Sequence, residues 1–334
     1  MSTTITAKVA RLLGPRQLVF EEQVLAADKL GPQEVLAETI CSAISPGTEL
    51  SAYLGEPPLR PGPIYPRVVG YCNVAEVKAV GAEVKEYQPG DRILSFQSHR
   101  SAFICPAEKI VLKLPATADA ELAVTTYLFH LGYNALLKGG FTPGHKVAIV
   151  GLGMLGLGAV ALAANSGGQV SACSEQADAR ALAQDLGALT VSSKAEATQN
   201  NAANVDLVIS TSNRWDDWQL CLQLARKEGT IAVLGFPGRG QAPAPFNPLD
   251  SQYFYDKQLR IIACGMSPDL PVAPHELRFT VKRNCEFLLG QILNGKLPAA
   301  KLIGQRCNWA ELPSVYEAMA ASRSTRLTAL LRWK

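Results

Sequence analysis

Lys146-Val-Ala-Ile-Val150 runs into Gly151-Leu-Gly153-Met-Leu-Gly156 and on into Leu157-Gly-Ala-Val-Ala-Leu-Ala-Ala164. An apolar strand that ends in G-x-G-x-x-G and opens an apolar helix is built to hold a pyrophosphate. Gly151 permits the tight turn, Gly153 lets the backbone approach the phosphates without a Cβ, and Gly156 lets the helix pack on its strand. Met154 and Leu155 lie at the start of that helix, whose first amides face an anion. Taken alone, the same pattern also fits an ordinary strand-to-helix turn, so the surrounding sequence has to decide.

On either side of this motif, from about 120 to 265, strand and helix alternate. The pattern predicts a helix over 121–138, strands at 146–150 and 169–173, and helices at 155–164 and 179–186. Strands at 205–210 and 230–234 with a helix over 215–225 between them complete the series. Such alternation indicates a doubly wound parallel sheet. Residues 1 to about 120 differ: segments such as Gln33–Ile44 and Val74–Val80 are rich in β-branched and alternating residues, punctuated by Pro and Gly. They read as a β-rich unit, with Pro57-Pro-Leu-Arg-Pro-Gly-Pro63 too proline-dense for anything but a rigid loop. After about 267 a mixed tail follows, with a helix near 279–293 and a strand at 328–332. The expected organisation is therefore 1–120, 121–266 and a return over 267–334.

Composition narrows the function. The 334 residues are 48% hydrophobic and 18% charged, and 32 basic against 29 acidic residues leave a net charge of +3. No run of like charges supports nucleic-acid or membrane-surface binding, and no stretch of 18 apolar residues or signal-peptide pattern is present. The expected location is cytoplasmic. Eight scattered cysteines with no C-x-x-C suggest reduced, buried thiols rather than a disulfide framework or a four-cysteine zinc lobe.

Further motifs carry a family resemblance over nearly the whole length: Gln88-Pro-Gly-Asp91-Arg92, the segment Gly70 to Gly81, Thr142-Pro-Gly-His-Lys-Val147 and Leu186-Gly-Ala188. With the glycine loop they resemble the medium-chain dehydrogenase/reductase superfamily. That resemblance implies an α/β fold with a GroES-like β-rich catalytic domain split around a Rossmann domain, a nicotinamide cofactor, and a homodimer. The zinc enzymes of that superfamily carry Cys-Gly-Thr-Asp-x-His near the N-terminus; here the run is Pro46-Gly-Thr48-Glu49-Leu-Ser51. Their Gly-His-Glu triplet is Gly70-Tyr71-Cys72, and their third ligand position falls near Tyr127. Proline and neutral phenols are not zinc ligands, so no metal is expected. Ser45-Pro-Gly-Thr-Glu49 followed by Gly70-Tyr71 is also similar to a subgroup that includes bacteriochlorophyllide dehydrogenases.

The resemblance gives Thr48 the place of a proton-relaying hydroxyl; a turn residue after Pro-Gly is the alternative. Tyr71 and Tyr127 stand where metal ligands would be and either donate to the reacting group or fill the volume. Ser51 and Tyr53 are weaker candidates in what reads as the same loop. Glu49 reads as a loop anchor facing a base such as Arg67, Cys72 and His130 as packing residues, and His99 as a surface or turn residue. At the end of the second Rossmann strand, Ser174 stands where NAD enzymes place a carboxylate for the ribose diol, which favours NADP with Arg180 as counter-charge. Glu175 next to it leaves NAD open. Ser210, Thr211, Gly235 and Phe236 end the next two strands in the crevice where such folds bind a nucleotide.

The sequence thus predicts a zinc-independent, NADPH-dependent reductase that transfers hydride to a carbonyl, activated alkene or imine, with a small-molecule substrate and no nucleic-acid or membrane partner. Two alternatives stay open: a zinc-type alcohol dehydrogenase with displaced ligands drawn from Cys72, Glu49 and His130, and a non-enzymatic protein whose binding to a partner the nucleotide regulates.

Overall fold

The computed structural model describes residues 4–57, 64–322 and 327–334. All of the proline-rich segment 57–63 except Pro57 therefore lies outside the described residues. Six strands form a wholly parallel sheet in the order Thr190–Ser192, Gln169–Cys173, Lys146–Val150, Val205–Ser210, Ala225–Val233, Arg260–Ala263. Numbered along the chain within this sheet, that order is 3-2-1-4-5-6, the doubly wound dinucleotide fold. The order in which strands are added reverses beside Lys146–Val150, so the glycine loop leaves its strand at the switch point where such sheets open a crevice. The following helix, Met154–Asn165, is apolar all round and buried along almost its whole length, as a helix sealed between sheet and neighbouring helices must be. Gly132 of the helix Thr126–Lys138 meets it so closely that a Cβ would stand 3.2 Å from the Ala159 backbone.

The β-rich part comprises a three-stranded sheet, Gln17–Ala26, Thr4–Gly14 and Arg67–Val68, and a seven-stranded one. In the latter Glu34–Ala43 pairs antiparallel with Asn73–Val80, Ala102–Pro106 and Thr328–Arg332. Thr328–Arg332 in turn pairs parallel with Ile303–Asn308. Chain from beyond residue 300 thus completes a sheet founded before residue 45. These sheets and the parallel one form a GroES-like β-rich part and a Rossmann part.

Several local readings need correction. The helix expected over 121–138 is two helices, Ala120–Ala123 and Thr126–Lys138. Thr125 and Thr126 turn their hydroxyls back onto the carbonyls of Leu122 and Ala123 at 2.7 and 2.6 Å, and such back-bonding competes with a regular helix ladder. The Pro46 run is a helix, Pro46–Leu54, rather than a turn. Proline suits the first helical turn because the amide it lacks has no partner there, and Gly55 at φ +74° ends the helix. The strand expected at 230–234 starts earlier, at Ala225. Thr190–Ser192, the helix Lys194–Asn201 and the edge strand Arg260–Ala263 had not been read from the sequence.

The eight cysteines are unpaired and all but Cys307 are buried. Among the described residues no helix is long and apolar enough to cross a membrane.

Candidate active site

The glycine loop has the steric signature of a cradle. Gly151 sits at φ +92°, and a Cβ there would come within 2.8 Å of Thr211 Oγ1. A Cβ on Gly156 would stand 1.9 Å from the Gly151 carbonyl oxygen. Thr211 locks the turn by donating its hydroxyl to that same carbonyl at 2.7 Å. Above the loop lies a cleft of about 660 Å³ lined by Gly151, Gly153, Met154 and Leu155 at one end and by Ser174, Glu175, Lys194 and Arg214 at the other. Helix N-terminal amides at one end and a polar end one strand away fit the two halves of a dinucleotide.

At the polar end Ser174 Oγ accepts the Gln176 amide at 3.1 Å, and Arg180 donates to the Ser174 carbonyl at 2.7 Å. Arg180 therefore braces the Ser174 backbone and does not line the cleft. The cations that do are Lys194 and Arg214, neither of them singled out from the sequence. Lys194 pairs with Asp217 at 2.6 Å and with Asp216 at 2.7 Å, and Arg214 pairs with Asp216 at 2.9 Å. Glu175 accepts the Lys194 amide at 2.9 Å, so its carboxylate is drawn to the start of the next helix. Ser210 is not in the cleft lining. Its hydroxyl is buried without a partner among the described residues, while its carbonyl accepts the amides of Leu234 and Gly235, both at 2.9 Å.

A second cavity of about 480 Å³ adjoins the first, and Ser45, Gly47, Leu155 and Thr211 line both. It contains Thr48, Tyr71, Tyr127, Gly235 and Phe236, with Phe96, Leu131 and Leu234 supplying apolar wall. Tyr71 donates its hydroxyl to Ser45 Oγ. Burial pushes its pKa far above the ordinary phenol value, with Cys72 raising it further and the Ser45 and Thr48 hydroxyls opposing. Burial likewise pushes Tyr127 up to about 12. Both phenols are therefore neutral donors. Their rings stand edge to face with centroids 5.7 Å apart, and Tyr127 stacks on His130 at 5.2 Å. Burial pushes His130 down to about 4.

Ser51 and Tyr53 are turned elsewhere. Ser51 donates to Glu56 at 2.6 Å, and Tyr53 donates to Glu317 and packs on Tyr316. Tyr53 thus ties the Pro46–Leu54 helix to the Leu312–Ala321 helix, Ser51 ties it to the residue just past its own end, and neither lines a cavity.

Glu49 does not face Arg67. Its carboxylate is 3% exposed and accepts the Ser45 amide at 2.7 Å, the ring Nε2 of His99 at 2.8 Å, and the hydroxyl of Tyr316. His99, expected at the surface, is fully buried. Its other ring nitrogen meets Ser42 Oγ at 2.8 Å, which also accepts the Trp333 indole N–H at 2.9 Å. Gly70 makes room for this: at φ +87°, a Cβ there would fall 2.7 Å from the His99 ring. The network fixes the entry of the Pro46–Leu54 helix and hence Ser45, the acceptor of Tyr71.

The fold and this pairing of cavities can be set beside known proteins. A family signature described as zinc-binding dehydrogenase matches residues 155–277. An alcohol dehydrogenase of Rhizobium meliloti is 27% identical over 270 residues, covering 70% of this chain and 78% of that protein. The 2-desacetyl-2-hydroxyethyl bacteriochlorophyllide A dehydrogenase of Cereibacter sphaeroides is 37% identical over 82 residues, 25% of each chain. A protein from Sinorhizobium meliloti assigned as a zinc-binding dehydrogenase, solved bound to NADP, superposes with a TM-score of 0.77 over 98% of this chain and 99% of its own at 20% identity. The signature, the relatives and the superposition together support a place for the chain in the medium-chain dehydrogenase/reductase superfamily.

Within this superfamily the zinc question turns on donor chemistry. The three positions that the resemblance equates with metal ligands are Pro46, Tyr71 and Tyr127, and two partly buried neutral phenols beside a proline do not make a zinc donor set. The displaced set considered from the sequence is dispersed as well. Glu49 is engaged by His99 and Tyr316, His130 lies beside Asn284 at 3.4 Å, and the Cys72 thiol is held protonated by burial. Among the described residues no three His, Cys, Asp or Glu side chains cluster closely enough to hold a metal ion.

The residues missed from the sequence were Lys194, Arg214, Asn213, Arg239 and the buried role of His99. One local signal was available for Lys194. Ser193-Lys-Ala-Glu196 is a capping box, which marks a helix start and so puts Lys194 at the carboxyl edge of the sheet.

Proposed function

We propose that the protein is a zinc-independent, NADPH-dependent reductase acting on a small electrophilic acceptor: a carbonyl, an activated alkene or an imine. The observation that carries this reading is the junction of the two cavities, where a dinucleotide-shaped cleft opens onto an apolar pocket containing hydroxyl donors. The NADP-bound relative agrees with the choice of cofactor, as do Ser174 in place of a carboxylate and the cations Lys194 and Arg214 around the polar end. The residues proposed for the cofactor are Gly151, Gly153, Met154, Leu155, Gly156, Ser174, Thr211, Gly235 and Phe236. We take residues 1–120 and 267–334 as the catalytic unit and 121–266 as the nucleotide-binding unit, acting in the cytoplasm as a homodimer.

A reduced nicotinamide bound at the junction supplies the hydride. The chain supplies the rest. Phe96, Leu131, Leu234 and Phe236 exclude water from the acceptor, which strengthens every hydrogen bond made to it. Tyr71 stays protonated; its one O–H, which donates to Ser45 in the free site, would turn to the acceptor oxygen or nitrogen while the Ser45 hydroxyl reverses to donate to the phenol oxygen. Thr48 lines the same cavity as a second hydroxyl. Hydroxyl donors alone polarise less strongly than a Lewis acid, so an already conjugated acceptor suits this site better than an unactivated alcohol.

The test is NADPH oxidation by the pure protein against enones, quinones, aldehydes and cyclic imines, before and after dialysis against EDTA. Turnover that survives dialysis is the expected result. Activity that EDTA removes and zinc restores overturns the metal-free reading, and no turnover with any acceptor class overturns the reductase reading.

A further inference from the structure

Apart from its hydroxyls and the Asn213 amide the acceptor pocket is apolar, and it carries a single charge among its described lining residues, the guanidinium of Arg239. That cation is placed with care. Its guanidinium carbon lies 3.8 Å from the centroid of the Phe236 ring, so one face is covered by an aromatic wall. Its Nε is buried with no hydrogen-bond partner among the described residues. Burial holds its pKa below the ordinary value, while Glu56 and Arg67 act on it from a distance in opposite senses. Glu56 is already occupied as the acceptor of Ser51.

The loop that presents Arg239 is held by hydrogen bonds from its backbone amides. Phe236 N donates to Asn213 Oδ1 at 2.9 Å, Gly238 N to the Asn213 carbonyl at 2.7 Å, and Arg239 N to the Phe236 carbonyl at 2.9 Å. Gly238 takes φ +83°, with Trp215 so close that a Cβ would stand 2.2 Å from its ring. A guanidinium on a pinned loop, stacked on one face and with its Nε short of an acceptor, suits a planar anion that can accept two parallel N–H bonds. The dinucleotide phosphates are not that anion on this geometry, because Arg239 lines the acceptor pocket and is absent from the lining of the cleft above the glycine loop.

We propose that Arg239 is the specificity residue of the acceptor pocket and that the natural substrate is a small conjugated acceptor bearing a carboxylate. The carboxylate docks on the Arg239 edge while the reactive end reaches Tyr71 and Thr48. This inference rests on reading the second cavity as the acceptor site, and it narrows the substrate class within that reading.

The test uses binding, so that it does not depend on turnover. Cinnamate and cinnamamide, matched in shape and different in charge, are titrated calorimetrically into the full chain with NADP⁺ present, for the wild type, Arg239→Met and Arg239→Lys. The expected result is wild-type binding of cinnamate at least tenfold tighter than of cinnamamide. Arg239→Met removes that preference without weakening cinnamamide, Arg239→Lys keeps part of it, and NADPH affinity is unchanged in both variants. Equal binding of the two probes to wild type, binding of neither, or a preference that survives in Arg239→Met overturns the proposal. So does a tenfold loss of NADPH affinity in Arg239→Met, which assigns the guanidinium to the dinucleotide. A charge preference without NADPH turnover on any acceptor leaves Arg239 as an anion site and refutes the reductase reading instead.

Discussion

Replacing Glu49 by alanine removes the one acceptor shared by the Ser45 amide, the His99 ring and the Tyr316 hydroxyl. All three donors lie in a part of the protein closed to water: Ser45 is 3% exposed, and His99 and Tyr316 are fully buried. A carboxylate accepts only, so Nε2 of His99 carries the proton and has no other acceptor when Glu49 is gone. Each stranded donor costs about 1–3 kcal/mol, so three together cost about 3 kcal/mol or more. The midpoint of thermal unfolding should therefore fall by roughly 5 °C or more. Glu49→Gln, which keeps one side-chain oxygen as acceptor, should lose distinctly less. The site should respond too, because Ser45 loses the contact that fixes it under Tyr71: kcat falls while NADPH affinity, which depends on the glycine loop, stays near the wild-type value. Scanning calorimetry and fluorescence titration read the two effects. A loss below about 1 kcal/mol in Glu49→Ala would refute the reasoning, since it means that the three donors find other acceptors.

Tyr71→Phe or Thr48→Val should lower kcat by about 10²-fold with little change in NADPH affinity, the scale of one lost transition-state donor; full turnover in both variants makes these residues packing. Lys194→Met should weaken NADPH binding more than NADH binding in parallel fluorescence titrations, and tighter NADH binding by the wild type points to Glu175 as the ribose ligand. His130 is held at about 4, against an ordinary value near 6.5, by burial. The unfolded chain thus binds a proton that the folded chain refuses between pH 6.5 and 4, so stability falls as pH drops through that window, by on the order of 3 kcal/mol when complete. His130→Gln should flatten that part of the stability profile, and an unchanged slope shows that other groups carry it.

What the sequence made legible follows from how far the interactions reach along the chain. The glycine loop, its strand and its helix occupy twenty consecutive positions, and the closest constraint on Gly156 is the Gly151 carbonyl within the loop itself, with only Thr211 and Ser212 at the end of the adjacent strand added from farther along the chain. Alternation of strands and helices was readable for the same reason. The Pro46–Leu54 helix was not, because Pro-Gly-Thr has the composition of a turn, and what holds the helix is a carboxylate whose partners His99 and Tyr316 lie 50 and 267 residues away. Arg239 was missed on similar grounds. Nothing in Gly-Arg-Gly distinguishes a surface arginine from one stacked on Phe236 and facing an apolar pocket, until Asn213 and Trp215 are known to pin the loop.

The strand Thr328–Arg332 has a consequence for how the molecule comes into being. It pairs with residues 41–43, and Thr328 donates its hydroxyl to the Ile44 carbonyl at 2.6 Å, immediately before the helix that carries Thr48. Every strand of the parallel sheet, by contrast, lies between residues 146 and 263. On the ribosome the parallel sheet and its glycine loop can therefore form while the Ser45–Gly47 wall shared by both cavities still lacks its supporting strand. A nascent chain halted after residue 263 should protect the parallel sheet from protease while the Pro46 helix remains cleavable, and equal protection of both would contradict this order. The glycine loop would then be older, in the life of each molecule, than the wall that closes both cavities against it.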